Sequence, residues 1–177
     1  DVIAPGVAKH EEEIVLAPGA EPAADPNLVL RVAVAAAEYG LPIAPGTLRN
    51  LKKCPIGDRN WTDESRELFI RLLASGPALL NVWEDIDFID VPGKLIPEWL
   101  GVRNRPSASA AHRYTIDRHM VEVVTRLGRE TPSGGRYDDR HYEALLLAGI
   151  LHDIGKRPGV ANHAAEGARH ATVVVER

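Results

Sequence analysis

In the stretch LLLAGILHDIGKRPG at 145–159, an aliphatic run ends directly against His152, Asp153 and Lys156. An imidazole nitrogen beside a carboxylate oxygen suits Mn²⁺, Fe²⁺, Zn²⁺ or Mg²⁺, and imidazole-rich sites lean to the transition metals. The pair has a plainer reading too, because a histidine at a helix C-terminus meets the negative end of the helix dipole. Two further histidines bear on the choice. His119 lies about one turn after Thr115, and His163 directly follows Asn162; both Thr115 and Asn162 are good N-caps. Adjacent residues on a helix diverge by roughly 100°. His152 and Asp153 can therefore face one point only at a helix terminus, and Gly155 is where the chain is expected to leave helical dihedrals. Lys156 is placed to steady a phosphate or the Asp153 carboxylate, or else to cap the helix dipole.

Three helices must position these groups. One runs from Thr115 to about Leu127, one from Asp138 or Asp139 to His152, and one from Asn162 onward. If the first two pack antiparallel, the start of one lies beside the end of the other. His119, His152, Asp153 and His163 then gather at one end of a three-helix layer. His10, His141 and His170 read as surface or packing residues. His112, just before the first of these helices, is harder to place.

Upstream, Asp25 as N-cap, Pro26 in the first turn and Gly40 at the C-terminus delimit a helix. Its Leu28, Leu30, Val32, Val34, Ala35 and Ala36 are too densely apolar for a surface helix, so it should be largely buried. Shorter helices are expected at about 46–54, 63–75, 77–88 and 93–100, separated by Pro and Gly. Residues 1–25, rich in Pro, Gly, Ala and Glu, have one β-like run at Glu13–Ala17 and read as a linker or the trailing edge of a preceding domain. Strand signals are otherwise scarce, and no internal repeat occurs. The expected fold class is all-α: a helical linker bundle at 26–104, a connector NRPSASAA at 104–111, and a further helical unit over 105–177.

Composition narrows the function classes. Of 177 residues, 45% are hydrophobic and 26% charged, as in a globular domain. The net charge of −4 offers no overall positive field to nucleic acid or anionic membrane. Locally, Arg103, Arg105, Arg113 and Arg118 form a basic stretch that either meets phosphate or is simply solvated. With Cys54 as the sole cysteine no intrachain disulfide is possible, and a reducing cytoplasm is the expected setting. No apolar run approaches the ~20 residues of a membrane span. The first residues lack a signal peptide's basic start and apolar core, and both ends break off mid-phrase, so the chain is read as a piece of something larger. There is no GK[ST] or GxGxxG phosphate loop. Asp85-Ile86-Asp87 has the spacing of nucleotidyltransferase carboxylates but no preceding Gly-Ser turn, and is expected to be an exposed helix end.

With His119, His152 and Asp153 in view, the chain resembles the HD superfamily of metal-dependent phosphohydrolases, for which HDIGK at 152–156 is a common central motif. The phrases DPNLVLRVAVAAAEYGLPIAPGTLRNL, LIPEW, HRYTIDRHMVE, LLLAGILHDIGK and NHAAEGARHA, in that order, look more specifically like the middle of the bifunctional uridylyltransferase/uridylyl-removing enzymes that modify the PII nitrogen-signalling protein. The alanine-, arginine- and valine-rich usage is similar to actinobacterial members, in which the transferred group can be adenylyl. The resemblance runs from about residue 24. It implies that 105–177 is the N-terminal part of an HD domain, with the nucleotidyltransferase and glutamine-sensing domains lying elsewhere in the whole enzyme.

By that resemblance His119, His152 and Asp153 would ligate a divalent metal, Mg²⁺ or Mn²⁺ with Fe²⁺ or Zn²⁺ also admissible. Asp153 and Lys156 would carry catalysis, and His163 would add a ligand or meet phosphate charge. The reaction would be hydrolysis of a nucleotidyl-protein phosphodiester, with PII and UMP/UTP or AMP/ATP as partners, and neither nucleic acid nor membrane. Two departures stand out: Asn162-His163-Ala164 where Asp-His-Ser is usual, and Arg157-Pro158-Gly159 in place of a glycine-rich loop. The signature's last Asp should lie beyond Arg177, so the piece alone should be inactive or swapped with a partner chain. Two other functions compete: an HD phosphohydrolase acting on a free alarmone or dNTP, and a non-catalytic regulatory or docking module.

Overall fold

Pro5-Gly6, with Gly6 at φ 74°, turns the chain back on itself, and a second reversal at Glu11-Glu12 follows. The result, in a computed structural model describing residues 1–57, 61–107, 114–128 and 139–177, is an antiparallel meander of β1 (Val2–Ala4), β2 (Val7–His10) and β3 (Glu13–Leu16). Val7 pairs with Leu16 and Lys9 with Ile14. Val7 and Ile14 are fully buried, so the sheet's inner face belongs to the core. The β-like run expected at Glu13–Ala17 is β3, and the sheet adds two strands ahead of it that were not expected. A Pro-Gly turn between two very short apolar runs was its sign in the sequence.

The rest is helical, with eight α-helices among the described residues. α1 (Leu28–Tyr39) is the central rod, buried from Leu28 to Leu30 and from Val32 to Ala37, and Gly40 ends it in the left-handed conformation at φ 64°. Its N-cap is Asn27 rather than Asp25; the Asp25 carboxylate instead accepts the Asn27 N–H at 3.1 Å and pairs with Arg31. The sheet lies against α1, as do α3 (Asp63–Leu73) and α4 (Ala78–Phe88), while α2 (Pro45–Leu51) meets β3. Thr62 caps α3 by accepting the Ser65 N–H at 3.1 Å. The helix expected at 93–100 is two pieces, α5 (Val91–Leu95) and a 3₁₀ turn at Pro97–Gly101. Pro97 brings no N–H and biases Ile96 to extended dihedrals, φ −129° and ψ 86°. The 3₁₀ turn delivers Trp99 into the core, edge-on to Trp83 at 5.3 Å.

α6 (Ile116–Leu127) buries Ile116, Met120, Val121 and Val124, a helical stripe that packs against α4 on one side and α7 (Asp139–Leu151) on the other. Gly149 allows the close approach of α7, since a Cβ there would lie 2.8 Å from Leu127 Cδ1. α8 (His163–Glu176) completes the chain, burying only Gly167 and His170. A single cluster of buried apolar side chains runs from Val7 to Ile154. No helix among the described residues is long and apolar enough to cross a membrane.

Two polar expectations change. Asp87 is no exposed helix end: Arg103 holds it, donating to its carboxylate and its backbone carbonyl, and burial raises the Asp87 pKa despite that guanidinium. Arg103 also pairs with Asp90, and Arg118 with Glu84 and Glu122, so two of the four arginines of the basic stretch are engaged in ion pairs. His112, Arg113, Asp138 and residues 108–111 of the connector lie outside the described residues.

Candidate metal centre

The start of α6 is pinned before it reaches the site. The Asn104 N–H donates to buried Asp117 at 2.8 Å, the Ile116 N–H donates to the Arg105 carbonyl at 2.8 Å, and Pro106 bridges to Thr115. His119 follows one turn later, half-buried and facing the end of α7. The antiparallel approach of α6 and α7 then sets the His119 and His152 rings edge-on, with centroids 5.2 Å apart.

His152 is the first residue beyond α7, and its Nδ1 lies 2.8 Å from the Gly149 carbonyl oxygen. A carbonyl only accepts, so Nδ1 carries the proton and Nε2 of the neutral ring keeps its lone pair for a ligand. The chain leaves the helix at once, which carries Asp153 to the same side. Asp153 Oδ2 lies 3.5 Å from His152 Nε2 and 4.0 Å from His119 Nε2. Among the described residues, His119, His152 and Asp153 are the group of donor side chains whose ligand atoms all fall within 4.8 Å of one another.

Those spacings fit an ion. With bonds of about 2.1 Å, neighbouring ligand atoms of a transition metal stand about 3.0–3.4 Å apart and opposite ones about 4.2 Å. Three donors from two helix ends, two imidazoles and one carboxylate, match a 2-His-1-carboxylate set that leaves positions open. The side chains of His119 and His152 are 33% and 35% exposed, enough for a substrate to reach them. Lys156 Nζ lies 2.8 Å from Asp153 Oδ2, beside the donors rather than at a distant cap.

His163 stands apart. Asn162 caps α8 through the Ala165 N–H at 3.0 Å, and His163, first residue of the helix, is exposed. Its backbone carbonyl meets Gly155 of the His-Asp loop, and its imidazole is not among the clustered donors. Gly155 lies in the turn that follows α7, where the chain was expected to leave the helix, and it has a second role as well. Its φ is not positive; a Cβ there would collide with that carbonyl and with Gly167, 2.7 Å from its Cα. The glycine provides space for α8 to cross, and Gly159, at φ 76°, supplies the left-handed turn. His170 is buried and bonded to Glu166 at 2.8 Å, a packing residue as expected. Sequence reasoning missed the Gly149 carbonyl that orients His152, although its i−3 position was a usable sign.

Comparison with curated proteins gives the same direction from an independent source. The chain is 38% identical over 97% of its length to a bifunctional uridylyltransferase/uridylyl-removing enzyme of Mycobacterium tuberculosis. It is 39% identical over 99% of its length to the enzyme of that name from Streptomyces coelicolor, and 34% identical over 75% to that of Corynebacterium glutamicum. Over these residues the chain belongs to that family. The match spans only 21%, 20% and 18% of those relatives, so the chain corresponds to about a fifth of such an enzyme. No protein-family model matches it, and no solved structure does.

Proposed function

We propose that this chain is part of a PII-modifying nucleotidyltransferase, and that the His119–His152–Asp153 cluster is the centre at which the nucleotidyl group is removed by hydrolysis. The convergence of three metal donors from the ends of α6 and α7 carries the proposal. The uridylyl-removing activity in the names of its relatives supports the reaction class.

A divalent ion held by these donors supplies Lewis-acid charge to a phosphodiester and lowers the pKa of water. The chain's own contribution is geometric. The Gly149 carbonyl holds the His152 ring with Nε2 presented, and Lys156 places an ammonium beside Asp153, within reach of phosphate oxygens. The water oxygen forms a bond to phosphorus as the bond from phosphorus to the protein oxygen breaks. The nucleoside monophosphate leaves, and the protein hydroxyl recovers a proton.

The test is incubation of uridylylated and adenylylated PII with the intact enzyme and with His152→Ala, scoring released UMP or AMP. Release by the wild type and its loss in the variant are expected. Hydrolysis of free alarmone or dNTP with modified PII left intact would overturn the substrate assignment. If the wild type binds no divalent ion, the hydrolase assignment itself fails.

A further inference from the structure

Beyond the donors, the loop Asp153–Arg157 needs something to hold it, because it has left the helix and carries a ligand. One side is held by Ile154, which is fully buried. The other is held by Arg157, at a position where the sequence departs from a glycine-rich pattern. Arg157 donates from Nε to the Ile154 carbonyl at 3.2 Å, and its Nη2 bonds the Glu98 carbonyl in the Pro97–Gly101 turn. Its backbone N–H closes on the Gly155 carbonyl at 2.8 Å. The guanidinium lies directly over Gly101, where a Cβ would stand 2.5 Å from Arg157 Cζ and 2.8 Å from Nη1. Glu98 is itself fixed, since its carboxylate accepts from Arg177 Nη2 at 2.8 Å.

Building on the metal-centre assignment above, we propose that Arg157 is a positioning residue for Asp153, clamping the ligand loop onto the Pro97–Gly101 turn. The geometry is specific to a planar fork. One edge of the guanidinium reaches a carbonyl of its own loop while another reaches a carbonyl of the 3₁₀ turn, and a lysine's single nitrogen lacks that fixed spread of donors. Gly101 is the other half of the device, because any side chain there occupies the space in which the guanidinium lies. This gives the segment Leu95–Gly101 a part in shaping the centre.

The experiment uses Co²⁺ as a spectroscopic probe. Wild type, His152→Ala, Arg157→Ala, Arg157→Lys and Gly101→Ala proteins are titrated, and the visible absorption that vanishes in His152→Ala defines the site. The proposal expects Arg157→Ala to weaken Co²⁺ binding about tenfold, as loss of outer-shell support does. The band should shift, and Arg157→Lys should recover part of the loss. Gly101→Ala, which displaces only the far end of a flexible side chain, should reproduce the Arg157→Ala spectrum while melting close to wild type. If Arg157→Ala does not fold, Gly101→Ala decides alone. Unchanged Co²⁺ affinity and spectrum in both variants would overturn the proposal and leave the metal centre standing. Absence of any His152-dependent band in the wild type would remove the metal centre and the positioning role together.

Discussion

Gly155 and Gly167 touch across the junction of the His-Asp loop and α8, yet their geometry predicts opposite responses to alanine. A Cβ on Gly155 would lie 2.7 Å from Gly167 Cα and nearer still to Gly167 N and the His163 carbonyl oxygen. All three are backbone atoms and cannot rotate aside. Restoring ordinary contact at about 3.5–4.0 Å requires the first turns of α8 to retreat by about 1–2 Å. Overpacking of this kind costs about 1–3 kcal/mol. A Cβ on Gly167 meets Gly155 N at 3.5 Å and Gly155 Cα at 3.7 Å, which is ordinary contact. As a glycine inside a helix, Gly167 should gain roughly 0.5–1 kcal/mol on replacement by alanine. At roughly 2–4 °C per kcal/mol for a chain of this size, Gly155→Ala should lower the melting temperature by several degrees and Gly167→Ala should hold or raise it. Thermal unfolding followed by far-ultraviolet circular dichroism in metal-free buffer measures both. A Gly155→Ala protein as stable as wild type would refute the account of how α8 seats.

Other consequences are equally direct. Mn²⁺ at a hundred times its Kd should stabilise the wild type by about 2.7 kcal/mol in a thermal-shift titration, and His152→Ala or Asp153→Ala should abolish the effect. Glu98 is pushed up by burial, but its hydrogen bond and ion pair with Arg177 outweigh that and hold it below the usual carboxylate range. A carboxyl whose folded pKa is depressed contributes stability above its unfolded pKa, and loses it as pH falls through the folded one. Denaturant midpoints should therefore drop more steeply on acidification in the wild type than in Glu98→Gln, and parallel profiles would count against the pair. Burial, with help from the nearby Asp25, pushes the buried Cys54 thiol up to about 11. A thiol reagent at pH 8 should leave Cys54 unmodified until the protein is unfolded in denaturant, and rapid native labelling would contradict its placement.

The helices were legible because their ends are chemically marked. Asn162 caps α8 as expected, Gly40 closes α1 with a left-handed turn, and the densely apolar run of α1 correctly signalled a largely buried rod. Of the N-terminal sheet only β3 was legible, since strands of three and four residues are too short to show an alternating pattern. At the candidate centre, spacing and antiparallel packing were enough to bring His119, His152 and Asp153 to one place. His163, exposed at the start of α8, lies outside that cluster of donors. Gly155 shows a related limit. Glycine in a sequence suggests an unusual dihedral, whereas here its virtue is also the absence of a methyl group against the helix that follows in the chain. Arg103 and Arg118 read as possible phosphate binders only until carboxylates 13 to 34 residues distant, Asp87, Asp90 and Glu84, come into contact.

The overlap of Arg157 with Gly101 has an evolutionary corollary. A methyl group at 101 and a guanidinium at 157 claim the same volume, so the two positions are expected to vary together although 56 residues separate them in the chain. In lineages where 101 acquires a side chain, arginine at 157 should disappear with it. Where 157 reverts to glycine, 101 is released to drift. Correlated replacement of this pair across related genomes would record the clamp's history, and would show which branches learned to hold the His-Asp loop by other means.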